Sequence, residues 1–522
     1  MGRRDSWKAV GFSAASKSQE NDPFKGIEKL KNENAVKHTY DTSSQKWRKT
    51  RIQIKMESEQ FAEGCMRRAF KAKFLEGRDS DWSHATNVVL KEYLDFAPTE
   101  NYYQDAQCQS LAKYYSEEYN KLKPHKKIDF LPWAQILLTY LIFEFQEREF
   151  SPCFHCESFI EGDYQKHNSN AGYVNAGSEE GKARTTPHAF SHFTFVKSQY
   201  KHIVVDIQGV QDIFTDPCIH TIDGEGYGES NLGLRGISLF FLSHRCNKEC
   251  KRLKLKEIEL HPAEITEEMT MAIQDTIFEM TQKMTVRRRT TGTLPPLEED
   301  TWVPAETSAI TEKHEPTSSR VSRIEKLPVS TKEHESHPIA SVHYGIADLY
   351  CSGWYMDLVT EAAIFHLNLA AREYKNLKAM TILGTKLLGQ DTDELEDLEI
   401  PKDTAAGWEL IQEAALFGDK NCIWKMAQRY HHMERDPRKA LQWYTVLYDS
   451  GTNTPFIRYH MIISNIADIY FKGHGLGMGT NERLELACDF YQRAADDAKR
   501  DGRIRQAAKY SELVEEIFEK MG

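Results

Sequence analysis

Cysteine is sparse in this sequence, with ten among 522 residues, and most stand alone. No basic stretch followed by an apolar core opens the chain, so no secretory leader is expected. Together these point to reduced thiols in a cytoplasmic protein rather than a disulfide framework. Long apolar runs are missing too. The longest candidate, "FLPWAQILLTYLIFEF" from Phe130, is interrupted by Pro132 and Gln135. It falls short of the roughly 18 residues of a spanning helix, so no membrane partner is expected. Excess positive charge is also absent. A net charge of −11 excludes general nucleic-acid binding, although local basic segments can still meet a partner. "MGRRDS" fits the loose myristoylation pattern, but two arginines straight after Gly2 weaken the match.

The chain is too long for a single core, so two or three domains are expected. Residues 1–35 are polar, with isolated aromatic anchors at Trp7 and Phe12. Residues 36–280 are dense in strand and turn signals. "RIQIKM", "NVVLKEYL", "HFTFV", "HIVVDIQGV" and "SLFFL" predict strands by alternation or β-branched content. "QCQSLAKYYSEEYNKL" predicts an amphipathic helix. This is an α+β domain. Residues 281–337, rich in Thr, Ser, Pro, Glu and Arg, bury too little to fold alone and predict a disordered linker. Residues 338–522 are helical and repetitive. "IADLY" at 346–350 returns as "IADIY" at 466–470, with "MAQRY" at 426–430 as a degenerate copy. Ala-Ala pairs followed by polar turns recur between them, and such small residues let paired helices approach closely. The pattern predicts an α-solenoid and resembles tetratricopeptide-type repeats of the Sel subfamily.

Several stretches carry chemistry. In "LSHRCNKEC", His244, Cys246 and Cys250 can converge on one metal; on a helix, Cys246 and Cys250 share a face. Structural zinc takes four ligands. Both "CFHC" (Cys153 and Cys156) and His192, which opens the expected "HFTFV" strand, are candidates for the fourth, and spacing does not choose. In "HIVVDIQGVQDIFTDP", Asp206, Gln208 and Asp216 follow a buried strand, a set that suits Mg²⁺ held with substrate phosphates. Aspartates after strands are also ordinary turn formers. "GEGYGESNLGLRG" is a glycine-rich loop whose amides can meet phosphate. Lys91 projects from a strand, as a phosphate-neutralising lysine would.

Two segments suggest regulation. "RRDSWKAVGFSAASK" places Trp7, Val10, Phe12 and Ala14 among basic residues, a pattern like calmodulin targets. "RRRTTGT" offers Thr290, with Thr291 as second choice, as a phosphorylation site in the linker.

Taken in order, the strand lysine, "VVDIQG", "FTDP", "NLGLRG" and the H-x-C-x₃-C element resemble the α-kinases, atypical protein kinases. "FHCESFIEGDYQKHNSNAG" and "TPHAFSHFTF" strengthen the likeness, and place the chain near the branch acting on translation elongation factor 2. The resemblance implies a bilobal, ATP-dependent catalytic domain over 36–280. Lys91 and Arg67 would contact nucleotide phosphates, and Glu157, Phe159 and Ile160 would form the adenine hinge. Asp206 would take the catalytic-aspartate place, with Gln208 and Asp216 binding Mg²⁺. Zn²⁺ would be structural, held by His192, His244, Cys246 and Cys250. Calcium-loaded calmodulin would bind 1–35, where Gly11 falls on the family's second anchor position. Phosphorylated Thr290 would dock on Lys126, Arg184 and Thr186. The expected reaction is γ-phosphoryl transfer to a threonine of elongation factor 2, inhibiting elongation. The sequence departs from the family at two places. Only Gly64 remains in the nucleotide-covering loop "QFAEGCMRRAF", and Ser230 replaces a glycine. If Ser230 needs a left-handed backbone, it costs about 1 kcal/mol. These departures motivate one rival, a non-catalytic solenoid scaffold on a degenerate kinase fold. A second rival is an α-kinase with another substrate, such as myosin heavy chain.

Overall fold

The structure is a computed structural model. It describes residues 22–64, 66–76, 81–95, 97–138, 153–175, 177–178, 181–182, 184–266, 273, 326–330, 334, 336–352, 359–473 and 475–521. Trp7, Val10, Phe12, Ala14 and Thr290 therefore lie outside the described residues. The chain divides into two compact units. One comprises Met1–Asp300 and Ser341–Ala363, the other Thr301–Ala340 and Ile364–Gly522.

In the first unit, strands β1 (Glu33–Asp41), β2 (Lys46–Met56), β3 (Ala62–Glu63), β4 (Arg67–Glu76) and β5 (Thr86–Tyr93) precede helix α1 (Thr99–Lys121). β6 (Asp129–Phe130), β7 (Ala134–Leu138) and β8 (Cys153–Ser158) follow. The sheet order is β2-β1-β7-β8-β5-β4-β3, and β2 also pairs with β4. That extra pairing closes the sheet on itself. Alternation decides what fills it: Ile52, Ile54, Phe70, Ala72, Phe74, Val88, Leu90 and Phe154 form the enclosed core. Their neighbours in register, Lys91 and His155, face the other way.

A second core lies under α1. It joins Ala112, Tyr115 and Tyr119 to Phe190 and Phe193 of α2 (Thr186–Lys197), with Val204, Ile207, Phe214 and Ile219. Short strands carry the chain through it: β9 (Gln165–Lys166), β10 (Gly177–Ser178), β11 (Gly181–Lys182), β12 (His202–Val205), β13 (Gln208–Val210), β14 (Ile213–Thr215) and β15 (Cys218–Thr221). Helices α3 (Gly233–Ser243) and α4 (Lys248–Arg252) follow.

Two expected strands are helices. "HFTFV" belongs to α2 and "SLFFL" to α3. Both helices are buried on nearly every side, so they lack the polar stripe that marks a helical period. Cys246 also precedes α4 instead of sharing its face with Cys250. Asn247 caps that helix, accepting from the amides of Glu249 at 2.8 Å and Cys250 at 3.1 Å.

Helix α5 (Ile339–Cys351) carries "IADLY", and its residues from Ser341 onward group with the first unit. Ser238 Oγ there donates to the Val342 carbonyl at 3.4 Å, and Tyr350 donates to buried Glu264 at 2.6 Å. A Cβ on Gly345 would sit 2.3 Å from Ser238 Oγ, so only glycine allows this approach.

The second unit is helical. α6 (Thr360–Asn368), which groups with this unit from Ile364 onward, α7 (Leu377–Leu387), α8 (Thr404–Leu416), α9 (Lys420–Gln428), α10 (Pro437–Asp449), α11 (Tyr459–Lys472), α12 (Thr480–Arg500) and α13 (Ile504–Met521) follow one another. One device recurs. A π turn at Leu369–Glu373 leads through left-handed Lys375 to Asn376, which caps α7. Another at Arg429–Met433 leads through left-handed Arg435 to Asp436, which caps α10. The alanine pairs Ala370–Ala371, Ala414–Ala415 and Ala494–Ala495 are fully buried where helices meet. No described helix is long and apolar enough to cross a membrane.

Candidate active site

Lys91 leaves the outer face of β5 and reaches Glu157 Oε1 at 2.7 Å. Glu157, on β8, is buried. Its second oxygen accepts from the Trp133 indole at 2.5 Å and from the Thr215 hydroxyl. The expected hinge acid is therefore bound through its side chain to the lysine. Phe159 stands edge-on to Phe24, 5.2 Å between ring centres, and Ile160 follows in an irregular segment.

Asp206 directly follows β12 and Asp216 directly follows β14, and both take left-handed backbone, φ 60° and 56°. For non-glycine residues such strain typically gathers at functional sites. Lys166 Nζ lies 2.6 Å from Asp206 Oδ1. Gln208 Nε2 donates to Asp206 Oδ2 at 2.9 Å and to the Asp216 carbonyl at 3.2 Å. Burial, with nearby Asp216, raises the Asp206 carboxyl above its usual range, and Lys166 only partly offsets this. Burial would also raise Asp216, but Arg67 and Lys91 outweigh it and hold this carboxyl low. Two neighbouring carboxylates thus have opposite shifts, a pattern typical of acid–base sites.

Arg67 is the bridge. Its guanidinium sits 2.5 Å from Asp216 Oδ1 and 2.5 Å from Asp105 Oδ2. Tyr93 donates to the same Asp105 oxygen, and His155 Nε2 lies 3.2 Å from it. Burial opposes the Asp105 charge, yet Arg67 and His155 hold its carboxyl well down. Burial, then Arg67, keeps His155 neutral. The Asp216 amide donates to Gln109 of α1 at 3.1 Å.

The glycine-rich loop runs from Gly224 to Gly236. Gly224, Gly226, Gly228 and Gly233 have positive φ, whereas Ser230 does not, so the feared left-handed strain at Ser230 is not present. Asn231 organises the loop. Its carbonyl oxygen accepts from the amides of Thr221 and Gly233, and its amide donates to Thr221 Oγ1 at 2.9 Å and Gly226 O at 3.0 Å. Beneath it, the His220 ring meets the Asn170 carbonyl and the Leu232 amide. Burial drives this histidine down to about 4.

The four expected zinc ligands come together. Their ligand atoms, one each from His192, His244, Cys246 and Cys250, all lie within 4.8 Å of one another. Cys246 Sγ is 3.6 Å from His192 Nδ1, and Cys250 Sγ is 3.5 Å from His244 Nε2. Tetrahedral zinc with bonds of about 2.0–2.3 Å places its ligand atoms about 3.3–3.8 Å apart, so the donor set fits. His192 Nε2 faces the Lys256 carbonyl at 3.0 Å, which turns Nδ1 inward, as metal-binding imidazoles require. Cys153 and Cys156 lie on β8, outside this cluster.

The expected phosphate-pocket residues are partly committed. Arg184 sits 2.7 Å from Asp212 Oδ1 and donates to the Lys127 carbonyl at 3.0 Å. Thr186 is buried at the start of α2, and Lys126 is exposed. Lys166, Asp105, Trp133 and Asn231 were not singled out from the sequence. The first three owe their importance to partners far along the chain, which no local spacing signals; Asn231 acts locally, within ten residues, inside the glycine-rich loop.

Comparisons with known proteins now bear on this arrangement. Residues 62–250 match the Alpha-kinase family. That stretch is an α-kinase domain. Eukaryotic elongation factor 2 kinase of Rattus norvegicus is 42% identical over 240 residues, 46% of this chain and 32% of that protein. The Caenorhabditis elegans protein of the same name is 41% identical over 233 residues, 44% of this chain and 28% of that one. The chain thus matches about a third of the length of these curated relatives. The solved α-kinase domain of myosin heavy chain kinase A, complexed with AMP, is 32% identical. It covers 43% of this chain and 100% of that one, with TM-score 0.39. Within this chain, an α-kinase domain is accompanied by a helical C-terminal region.

Proposed function

We propose that this chain is a calcium/calmodulin-dependent protein kinase that transfers the ATP γ-phosphoryl group to a threonine of elongation factor 2. The observation that carries the reading is the convergence of Lys91, Asp206, Gln208 and Asp216 in a domain at 41–42% identity to elongation factor 2 kinases. Lys91 and Arg67 would neutralise nucleotide phosphates. Asp216, held ionised, and Gln208 would hold Mg²⁺, which supplies charge neutralisation on the phosphates. Asp206, with its raised carboxyl, suits orienting the substrate hydroxyl and accepting its proton. Glu157, Phe159 and Ile160 would border the adenine. Phosphoryl transfer needs alignment and charge stabilisation more than covalent help, and in this reading these residues would provide both.

Zinc on His192, His244, Cys246 and Cys250 would have a structural role, joining α2 to the segment around α4. Calmodulin binding rests on the sequence pattern around Trp7, and docking of phosphorylated Thr290 rests on Lys126, Arg184 and Thr186. Arg184 would have to exchange Asp212 for the phosphate. The helical region would act as a Sel-type solenoid that holds the substrate. Incubating the purified chain with Mg-ATP and elongation factor 2, with and without calcium–calmodulin, tests the reading. Calmodulin-stimulated phosphothreonine is expected; phosphorylation of myosin heavy chain alone would favour the rival substrate.

A further inference from the structure

His167, Asn168 and Ser169 take no part in the reading above, yet all three are buried, Asn168 completely. They lie against the turn that carries Asp206 and Gln208. β12 ends at Val205 and β13 begins at Gln208, so Ile207 falls between two strands and neither ladder includes it. Its side chain is fully buried in the core under α1. A backbone buried there needs partners from elsewhere. Residues 167 and 168 supply both. The Ile207 amide donates to Asn168 Oδ1 at 2.8 Å, and the Ile207 carbonyl accepts from the His167 amide at 2.9 Å.

The geometry points to Asn168 as a positioning residue for the Asp206–Gln208 turn, anchored in its own turn by Ser191 of α2. The bond directions follow from the partners. An N–H needs an acceptor, so the side-chain oxygen of Asn168 faces Ile207, and its nitrogen donates to Ser191 Oγ at 3.1 Å. Ser191 then donates to the Pro187 carbonyl at 3.3 Å. Asn168 is itself held in place. Its backbone bridges Val174, and the His167 carbonyl accepts from the Asn175 amide at 2.8 Å. Gly172, φ 88°, closes this loop against α3, where a Cβ would sit 2.8 Å from Leu239 Cβ. The turn needs such holding because Asp206 is left-handed, and strained backbone of this kind persists only where its surroundings over-determine it. The two bonds to Ile207 fix the peptide planes on either side of it. They thereby set the directions in which the Asp206 and Gln208 side chains leave the backbone.

This inference rests on the proposed roles of Asp206 and Gln208, so one arm of its test reads activity and the other does not. The first is steady-state phosphorylation of elongation factor 2 at saturating Mg-ATP. Leucine matches asparagine in shape but accepts no hydrogen bond. Asn168→Leu should lower kcat at least about thirtyfold, since a misplacement of about 1 Å costs about a hundredfold, while KM for elongation factor 2 changes less than about threefold. Asn168→Asp keeps an acceptor for the Ile207 amide and should recover at least about tenfold of that loss. A role in packing alone predicts the reverse order. Wild-type kcat in Asn168→Leu, or aspartate no better than leucine, overturns the proposal. The second arm is hydrogen exchange, mapped by mass spectrometry on peptides spanning Val205–Val210. Asn168→Leu should quicken exchange there at least about tenfold and leave the second unit unchanged. An unchanged rate overturns the proposal. If Asn168→Leu fails to fold, Ser191→Ala carries both readouts. It frees one end of the Asn168 side chain, so it should quicken the same exchange and lower kcat about two- to fivefold. No change in either overturns the proposal. A wild-type chain inactive on elongation factor 2, with exchange still quickened in the variant, overturns only the reading of the reaction.

Discussion

The two units of this chain bury different things. Among the described residues, the first hides His155, Glu157, His167, Asn168, His188, Asp206 and His220 with many other polar groups. The second hides chiefly alanine, leucine and isoleucine; its buried polar or charged residues are His366, Thr385, Lys386, Thr452 and His460. Burying an ionisable group costs stability unless it is fully partnered. The first unit accepts that cost at many positions, the proposed catalytic Asp206 among them, and the second at few. A catalytic unit and a packing unit can therefore be told apart by which groups are desolvated.

Four tests sharpen the contrast, from the largest effect to the smallest. Structural zinc contributes on the order of 10 kcal/mol, comparable to a domain's whole stability of about 5–15 kcal/mol. Cys250→Ala should therefore unfold the first unit and release zinc. Calorimetry with metal analysis should still find the second unit's transition. A folded, active, zinc-free variant would sink the zinc account.

Asp206→Asn keeps the shape and removes the proposed base. Its kcat should fall about 10²–10⁴-fold, with thermal stability unchanged or slightly raised, because a buried carboxylate that resists ionisation has been neutralised. Steady-state kinetics beside thermal melts check this.

Acid separates the units without mutation. Burial pushes His167, His188, His202 and His220 of the first unit down to about 4. Unfolded, each would titrate near 6.5, so the unfolded chain binds more protons between about pH 6.5 and 4. Stability is present above that window and is lost as pH falls through it, by up to about 3 kcal/mol for fully buried His220. Denaturant titrations at pH 7 and 5 should show the first unit weakening more than the second. His220→Gln should flatten the dependence.

The smallest change belongs to the packing unit. Ala414 is fully buried in α8, so Ala414→Leu should destabilise the second unit by about 1–3 kcal/mol and leave intrinsic ATP hydrolysis unchanged. Thermal melts and a hydrolysis assay read both effects.

The sequence disclosed what is local. Alternation placed β2 and β5, and "VVDIQG" with "FTDP" marked the two carboxylates that the fold brings together. It misassigned α2 and α3 because helices buried all round have no amphipathic stripe. It did not reveal Arg67 bridging Asp105 and Asp216, because those contacts span 38 and 149 positions. Spacing also left the fourth metal ligand open. His192 is selected by tertiary proximity, against the C-x-x-C motif on β8.

The central claim is that the first unit is a working phosphotransferase. Its most direct test is single-turnover transfer from γ-labelled Mg-ATP to elongation factor 2, with calcium–calmodulin, by wild type and Asp216→Ala. Labelled phosphothreonine from wild type and none from the variant is the predicted result. Equal labelling by both, or by neither, would contradict it.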